Sequence, residues 1–429
     1  MKFFRAALVS LLLSVLFLVV YSTTNWISSR RADVGMIYFE WEMLIPFVPL
    51  MIIPYMSIDL FFVAAPFLCR SDAELRTLAK RISLAIMVAG VCFLLFPLKI
   101  AFKQPAVAGW LGQIFNSFHN FDRPYNLLPS LHITFRTILA SFYAHHTRGV
   151  WRIASAVWFS LIGFSTVLTY QHQVVDVAGG FVLAGYCFYL IREDPARLPV
   201  ILNRRVGAYY LSGALLLSIP ICFLGLWGVL LLWPVVAVCI VAVAYFGLGP
   251  GIYRKEGGRL PRSTLFVLGP CLLGQQLSLA WYQRQCRPWD EVLPRVWIGR
   301  KLNDHEASQA AREGVTAVLD LTAEFNEARP FLNLNYLNVP LLDLTAPSQD
   351  QLSQMAGFIS DQSATGTVYV HCKIGYSRSA AAVGAWLLST RKAANVRQAV
   401  EIMRRARPSL IVRPEIIAAL ETFNRHAAN

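Results

Sequence analysis

The sequence predicts a polytopic α-helical membrane domain of about eight spans, followed by a small C-terminal α/β domain. Three observations carry this reading. Of 429 residues, 56% are apolar and only 15% are charged, with a mean hydropathy of +0.48. A soluble protein carries roughly a quarter charged residues, so a disordered or simple cytosolic chain is excluded. Long apolar stretches recur up to residue 248, and from about residue 287 short β-type runs alternate with helical ones.

A span needs about 20 apolar residues. The candidates are 5–22, 43–68, 82–102, 131–146, 151–170, 173–191, 207–226 and 228–248. Lys2 and Arg5 open the first, but no small-x-small cleavage site follows, so it reads as an uncleaved anchor. The net charge is +14; residues 1–283 hold 22 basic and 11 acidic residues, and the rest hold 17 and 14. The excess therefore belongs mainly to the apolar part, where basic loops at a bilayer explain it better than nucleic-acid binding. With the N-terminus inside, 16 of those 22 basic residues fall in inner loops, at 2–5, 70–81, 148–152, 192–205 and 254–262. The loop 103–130 and the turn 171–173 then face outward, in a multi-pass protein of an inner or plasma membrane.

The uncharged stretch 263–283 contains Gly269, Pro270, Gly274, Gln275 and Gln276, and Arg284 and Arg287 follow at once. As a ninth span it would put the C-terminal domain outside; as an interfacial helix, the preferred reading, it leaves that domain cytosolic. The expected organisation is a membrane domain 1–262 with extra helices at 207–248, an interfacial helix and linker 263–286, and the α/β domain 287–429. Cys69, Cys92, Cys187, Cys222, Cys239 and Cys271 lie in or beside apolar runs without paired spacing. They read as small buried apolar residues rather than a disulfide or zinc framework.

In the C-terminal domain, 295–300 opens as a short strand. Val315–Leu321, Tyr336–Leu342 and Thr367–His371 also read as strands, and Asp350–Asp361, Ser379–Arg391 and Val396–Arg405 as helices. Between the strand TVYVH and the helix SAAAVGAWLL lies His371-Cys372-Lys373-Ile374-Gly375-Tyr376-Ser377-Arg378-Ser379. A loop closing onto a helix N-terminus aims backbone N–H groups at one point, and the helix dipole adds positive potential. A phosphate dianion fits a cradle made by the amides of residues 373–377 (Lys373, Ile374, Gly375, Tyr376, Ser377), and the same field favours a nucleophilic thiolate at Cys372. Arg378 can clamp two phosphate oxygens, and the Ser379 hydroxyl can assist the departing sulfur. Asp343, at a strand end, is the candidate general acid; Asp320 and Asp350 read more simply as caps. These residues resemble the dual-specificity branch of the protein tyrosine phosphatases: HCxxGxxRS matches completely, and the VWIGR, acid-loop and RPSLIVRPE segments look similar. The resemblance covers about 287–429 and implies a cysteine-phosphatase fold and a cysteinyl-phosphate mechanism without a metal.

A second constellation comprises Arg123-Pro124, Pro129-Ser130-Leu131-His132 and His172-Gln173-Val174-Val175-Asp176. Ionisable residues at span ends point to function. Ser130 and His132 begin a span, where a helix N-terminus favours an anion. His172 and Asp176, four apart, share a helix face, so Asp176 can orient His172 as nucleophile while His132 protonates the leaving alkoxide. Arg123 and Ser130 can bind phosphate oxygens. The pattern resembles the type 2 phosphatidic acid phosphatase superfamily over about 43–191, which implies a six-helix phosphatase core and a phosphohistidine intermediate. Position 131 is Leu rather than Gly, Thr166 stands where a phosphate-binding arginine is expected, and Asn116 where a lysine is expected. The PSLH variant looks like the inositolphosphotransferase side of that superfamily, so transfer of a phospho-headgroup stands beside hydrolysis. Arg136, one helical turn beyond His132, is the candidate replacement for the missing arginine. A metal held by both histidines and Asp176 lacks a further well-placed donor, and no cofactor is expected.

The combined reading is a membrane-bound phosphatase with two phosphoryl-transfer sites. Its expected partners are the bilayer, a phosphorylated lipid, and a phosphoprotein or phospho-headgroup, with no nucleic acid. The rivals are an inactive membrane anchor with one active C-terminal site, and a transporter with a phosphate-sensing domain.

Overall fold

The computed structural model describes residues 2–121, 125–192, 202–224 and 228–428. It forms two compact units, 1–195 and 196–429. The sequence reading groups residues up to 262 with the membrane domain; in the structure the helices after residue 203 belong to the unit that contains the α/β domain.

The first unit contains α1 (Lys2–Ser28), α2 (Ile52–Leu68), α3 (Asp72–Leu95), α4 (Gly109–Phe121), α5 (Leu131–His146), α6 (Val150–Leu168) and α7 (Val174–Leu190). All but α4 fall on expected spans. α3 begins ten residues before its apolar run because Ser71 caps it, accepting from the amide of Glu74 at 3.0 Å. α5 is central and packs on α2, α3, α6 and α7, with Ile82, Ile86, Ile138, Leu139 and Phe159 buried around it. Close approach of α7 to α5 requires Gly180, where a Cβ would lie 2.6 Å from the Ser130 carbonyl oxygen.

The second unit opens with the packed pair α8 (Arg204–Ser218) and α9 (Val229–Val243), the latter running into a π-helical turn, Ala244–Leu248. The short helices α10 (Arg262–Val267) and α11 (Gly269–Gln283) follow. Among the described residues, six helical segments are long and apolar enough to cross a membrane: Lys2–Ser28, Pro49–Leu68, Asp72–Leu95, Val150–Leu168, Arg204–Cys222 and Leu230–Tyr253. α7 is apolar but shorter, and α5 has 16 residues. All eight cysteines are free, and Cys222, expected to be buried, is exposed.

The α/β domain contains β1 (Trp289–Leu293), β2 (Val296–Arg300), α12 (Asp304–Arg312), β3 (Val315–Thr322), β4 (Asn335–Leu341), α13 (Gln349–Thr365), β5 (Thr367–Cys372), α14 (Ser377–Ser389), α15 (Val396–Ala406) and α16 (Pro414–Ala428). The sheet order is β1-β2-β5-β3-β4, with β1 antiparallel and the others parallel. β1, α12 and α16 are absent from the sequence reading. Alternation along the strands sorts two cores. Ala317, Leu319, Leu321, Val368, Val370 and Cys372 join the core formed with α13–α16, while Val318 and Tyr369 face the α12 layer. Consecutive residues His371 and Cys372 thus point to opposite sides of the sheet.

Candidate active sites

The cysteine site sits where central β5 ends and α14 begins, the crevice position favoured in open parallel sheets. Cys372 is buried, and the helix starts five residues later at Ser377. Its N-cap residue, Tyr376, makes no side-chain capping bond, so the side chains leave the helix entrance open to an anion. Gly375 has φ +74, and a Cβ there would lie 2.5 Å from the Gly299 carbonyl carbon and oxygen. Both conformation and space demand glycine.

Glu324 receives Arg378 in a fork, at 3.1 Å from Nη1 and 2.8 Å from Nη2, while Nη1 also donates to the Leu341 carbonyl at 3.0 Å. Burial opposes the arginine's charge, but Glu324 and then Asp343 outweigh it and raise its pKa well above the ordinary value. Asp343 Oδ1 lies 3.6 Å from Arg378 Nε, which has no hydrogen-bond partner, and the buried Ser379 hydroxyl is likewise unpartnered. Ser377 Oγ donates to the Ile411 carbonyl and accepts the Arg413 amide, so its hydroxyl anchors the neighbouring loop. Tyr376 Oη sits 3.4 Å from Cys286 Sγ. Arg407 is fully buried; it donates to Asp290 at 2.7 Å and to the Ile374 carbonyl at 3.2 Å, tying the cradle to β1. Lys373 donates to Gln275 at 3.0 Å and to Ser278 at 2.8 Å, both on α11. Burial lowers its pKa, with Asp343 and Glu324 opposing.

On the other side of β5, His371 Nε2 donates to Glu327 at 2.7 Å and lies 3.8 Å from Asp320 Oδ1. Lys255, from the segment between the π-helical turn and α10, ion-pairs with Asp320, and Lys301 donates to Glu327 at 3.3 Å. Burial raises the pKa of Asp320, but Lys255 and His371 overcome this, with hydrogen bonds from Lys255 and Tyr336, and hold it well below the carboxylate range. The three donor groups are close enough for one cation, yet two lysine ammonium groups already balance the carboxylates. Asp320 is therefore a member of a buried ionic network rather than the simple cap that the sequence suggests.

The histidine site belongs to the first unit. His132 and His172 line a cavity of about 770 Å³ walled mainly by apolar side chains from α1, α2, α4 and α5. His132 Nε2 donates to the Tyr55 carbonyl at 2.8 Å, and its ring stacks on Tyr55 with centroids 3.9 Å apart. His172 Nδ1 and Asp176 Oδ2 are 3.7 Å apart, longer than a hydrogen bond. Asp176 Oδ2 accepts the Gln173 amide at 2.9 Å, and Glu42 accepts the Val174 amide at 2.9 Å. Ser130 caps α5 through the Ile133 amide at 3.3 Å.

Arg123 lies outside the described residues. Arg136 departs from expectation: Nε donates to the Phe159 carbonyl at 2.6 Å and the side chain does not line the cavity. An arginine inside a helix bundle needs a partner, and the second lone pair of a carbonyl on α6 supplies one. Asp59 on α2 does line the cavity. Its signal was legible as a lone acid in an apolar span. Glu324 and Lys255 had no local motif to reveal them, since each acts through a partner more than 50 residues away; Arg407 opens the RPSLIVRPE segment, but its partner Asp290 lies 117 residues away.

Comparison with known proteins follows the same division. Residues 296–426 match the family model for the dual specificity phosphatase catalytic domain, and residues 8–190 match that of the PAP2 superfamily. Phosphatidylglycerophosphate phosphatase PTPMT2 of Arabidopsis thaliana is 29% identical over 150 residues, covering 33% of this chain and 65% of the plant protein. Dual specificity protein phosphatase 12 of Mus musculus is 34% identical over 124 residues, covering 28% of this chain and 36% of the mouse protein. Phosphatidylglycerophosphatase and protein-tyrosine phosphatase 1 of Homo sapiens is 33% identical over 156 residues, covering 34% of this chain and 74% of the human protein. The chain thus spans less than two thirds of the length of the plant and mouse relatives.

Proposed function

Because the chain belongs to the dual specificity phosphatase family through residues 296–426 and carries a PAP2-superfamily region at 8–190, we propose that it is a membrane-bound bifunctional phosphatase whose Cys372 site hydrolyses phosphate monoesters on lipid headgroups. The observation that carries this reading is the origin of the groups around Cys372. Lys373 is bonded to α11, and Asp343 is touched by Tyr245 from the turn that ends a membrane-length helix. A substrate reaching the cradle meets these helices, which suits a lipid better than a protein chain. Two relatives' names refer to phosphatidylglycerophosphate chemistry, in the same direction.

In this mechanism Cys372 Sγ attacks phosphorus and the ester P–O bond breaks. Arg378 and the cradle amides hold the equatorial oxygens, and Asp343 gives its proton to the leaving alkoxide. Water, deprotonated by Asp343, then attacks the cysteinyl phosphate; the P–S bond breaks, Ser379 stabilises the departing thiolate, and inorganic phosphate leaves. The Lys255–Asp320 pair supports a topology in which the domain lies on the same side as the basic loop 254–262. By the positive-inside rule that side is the cytosol. α11 then lies in the interface rather than crossing it, and the histidine site faces outward.

The histidine site is read as a lipid phosphatase or phosphotransferase, with His172 attacking phosphorus and His132 protonating the leaving oxygen. Full-length protein in vesicles containing phosphatidylglycerophosphate tests both halves. Phosphate release should exceed that from a phosphotyrosine peptide, and Cys372→Ser should abolish it. Turnover of phosphatidic acid should be lost in His172→Ala. If His172→Ala leaves all lipid turnover intact, the membrane half is an anchor.

A further inference from the structure

We infer that Asn203 and Tyr245, both in the helices preceding the α/β domain, are positioning residues for the general-acid loop of the Cys372 site. The inference rests on the reading of Asp343 as the acid. Tyr245 Oη donates to the Asp343 carbonyl at 2.9 Å, and Asn203 Nδ2 donates to the Leu344 carbonyl at 2.7 Å. These are consecutive peptides of one loop, held by two side chains that are themselves joined: the Asn203 amide donates to the Tyr245 carbonyl at 3.1 Å.

The loop needs such a clamp. Leu344 has φ +61, a left-handed conformation disfavoured for a side chain with a Cβ. Its amide donates to Asp343 Oδ1 at 3.1 Å, so the strained peptide also orients the carboxylate, which lies 3.6 Å from Arg378 Nε. Release of the two carbonyls would let Leu344 relax and turn that carboxylate from the cradle. The clamp is rigid at its root. Tyr245 is buried and stacks on Tyr210 with centroids 5.5 Å apart and planes 13° from parallel. Asn203 is also the N-cap of α8, its Oδ1 accepting the Val206 amide at 3.2 Å. The soluble catalytic loop therefore takes its shape from the helices before it.

Leaving-group dependence separates a positioning role from a structural one. Full-length protein in detergent is assayed with 4-nitrophenyl phosphate, whose phenolate departs with little help, and with phenyl phosphate, whose phenolate needs the proton. The readout is the ratio of the two kcat/KM values, which report the step that expels the leaving group and whose ratio a change in the fraction of folded enzyme does not alter. Asp343→Asn is the benchmark and should raise the ratio about 10-fold or more. Tyr245→Phe and Asn203→Ser should each raise it roughly 3- to 10-fold with KM unchanged, because misplaced acid catalysis is lost while the cradle is intact. Serine keeps the helix cap but is too short to reach Leu344. If Asp343→Asn raises the ratio and the two clamp variants do not, the clamp is refuted. If Asp343→Asn itself leaves the ratio unchanged, the acid assignment fails and the clamp falls with it.

Discussion

Around Cys372, two buried cations are each held by at least two protein acceptors, Arg378 by Glu324 and the Leu341 carbonyl and Lys373 by Gln275 and Ser278. The cavity of His132 and His172 is lined, among the described residues, by the carboxylate of Asp59 and by no lysine or arginine. The helix entrances differ in the same sense. α14 begins without a side-chain cap, whereas the first amides of α7 already serve Glu42 and Asp176, and α5 is capped by Ser130. A helix N-terminus offers its field to a substrate only where the protein does not fill it first. The cysteine site is thus electrostatically prepared for a dianion. The histidine site, in the described residues, offers a mainly apolar cavity with one carboxylate.

The largest expected effect tests whether the cysteine cradle works alone. Cys372→Ser should lower aryl phosphate hydrolysis by at least about 10³-fold, since the nucleophile is lost, with phosphatidic acid turnover unaffected. An equal fall in both activities would mean that one site performs them both. Next comes the network behind the cradle. Lys255→Met should destabilise the second unit by about 3–5 kcal/mol, because Asp320 is left buried without its cation; adding Asp320→Asn should recover part of this in denaturant unfolding. The sign of the pH dependence follows. The folded-state pKa of Asp320 lies below the unfolded value of about 3.9, so its contribution is present above that pH and is lost as pH falls below it. The double variant should show a flatter acid limb.

Arg378→Lys removes the fork that meets two oxygens and should cost about 10²-fold in kcat/KM on aryl phosphate. The smallest effect sharpens the contrast from the histidine side. Arg136→Ala should leave lipid turnover within about twofold and cost about 1 kcal/mol of stability, the worth of one hydrogen bond. A large loss of turnover would mean that this arginine reaches the cavity during catalysis.

The apolar helices and the β5–α14 turn were legible because their signals are local. A strand, nine residues and a helix suffice for the cradle, and apolar length suffices for a span. α12 is locally legible too, through the capping box of Asn303 and Glu306, but it is short and polar and no apolar run marks it. β1 was hidden because Trp289–Leu293 carries Asp290 and Glu291; Asp290 pairs with the exposed Arg287 nearby, but its buried partner, Arg407, lies far along the chain. The departure of Arg136 has the same cause. Helical spacing gives the face of a residue, but not which neighbouring carbonyl captures it.

The Lys255–Asp320 pair also bears on biogenesis. Residue 255 leaves the ribosome before the strand that receives it, so its ammonium waits for its counter-charge until β3 has formed. Burial of Asp320 thus depends on a cation from the segment that precedes the α/β domain.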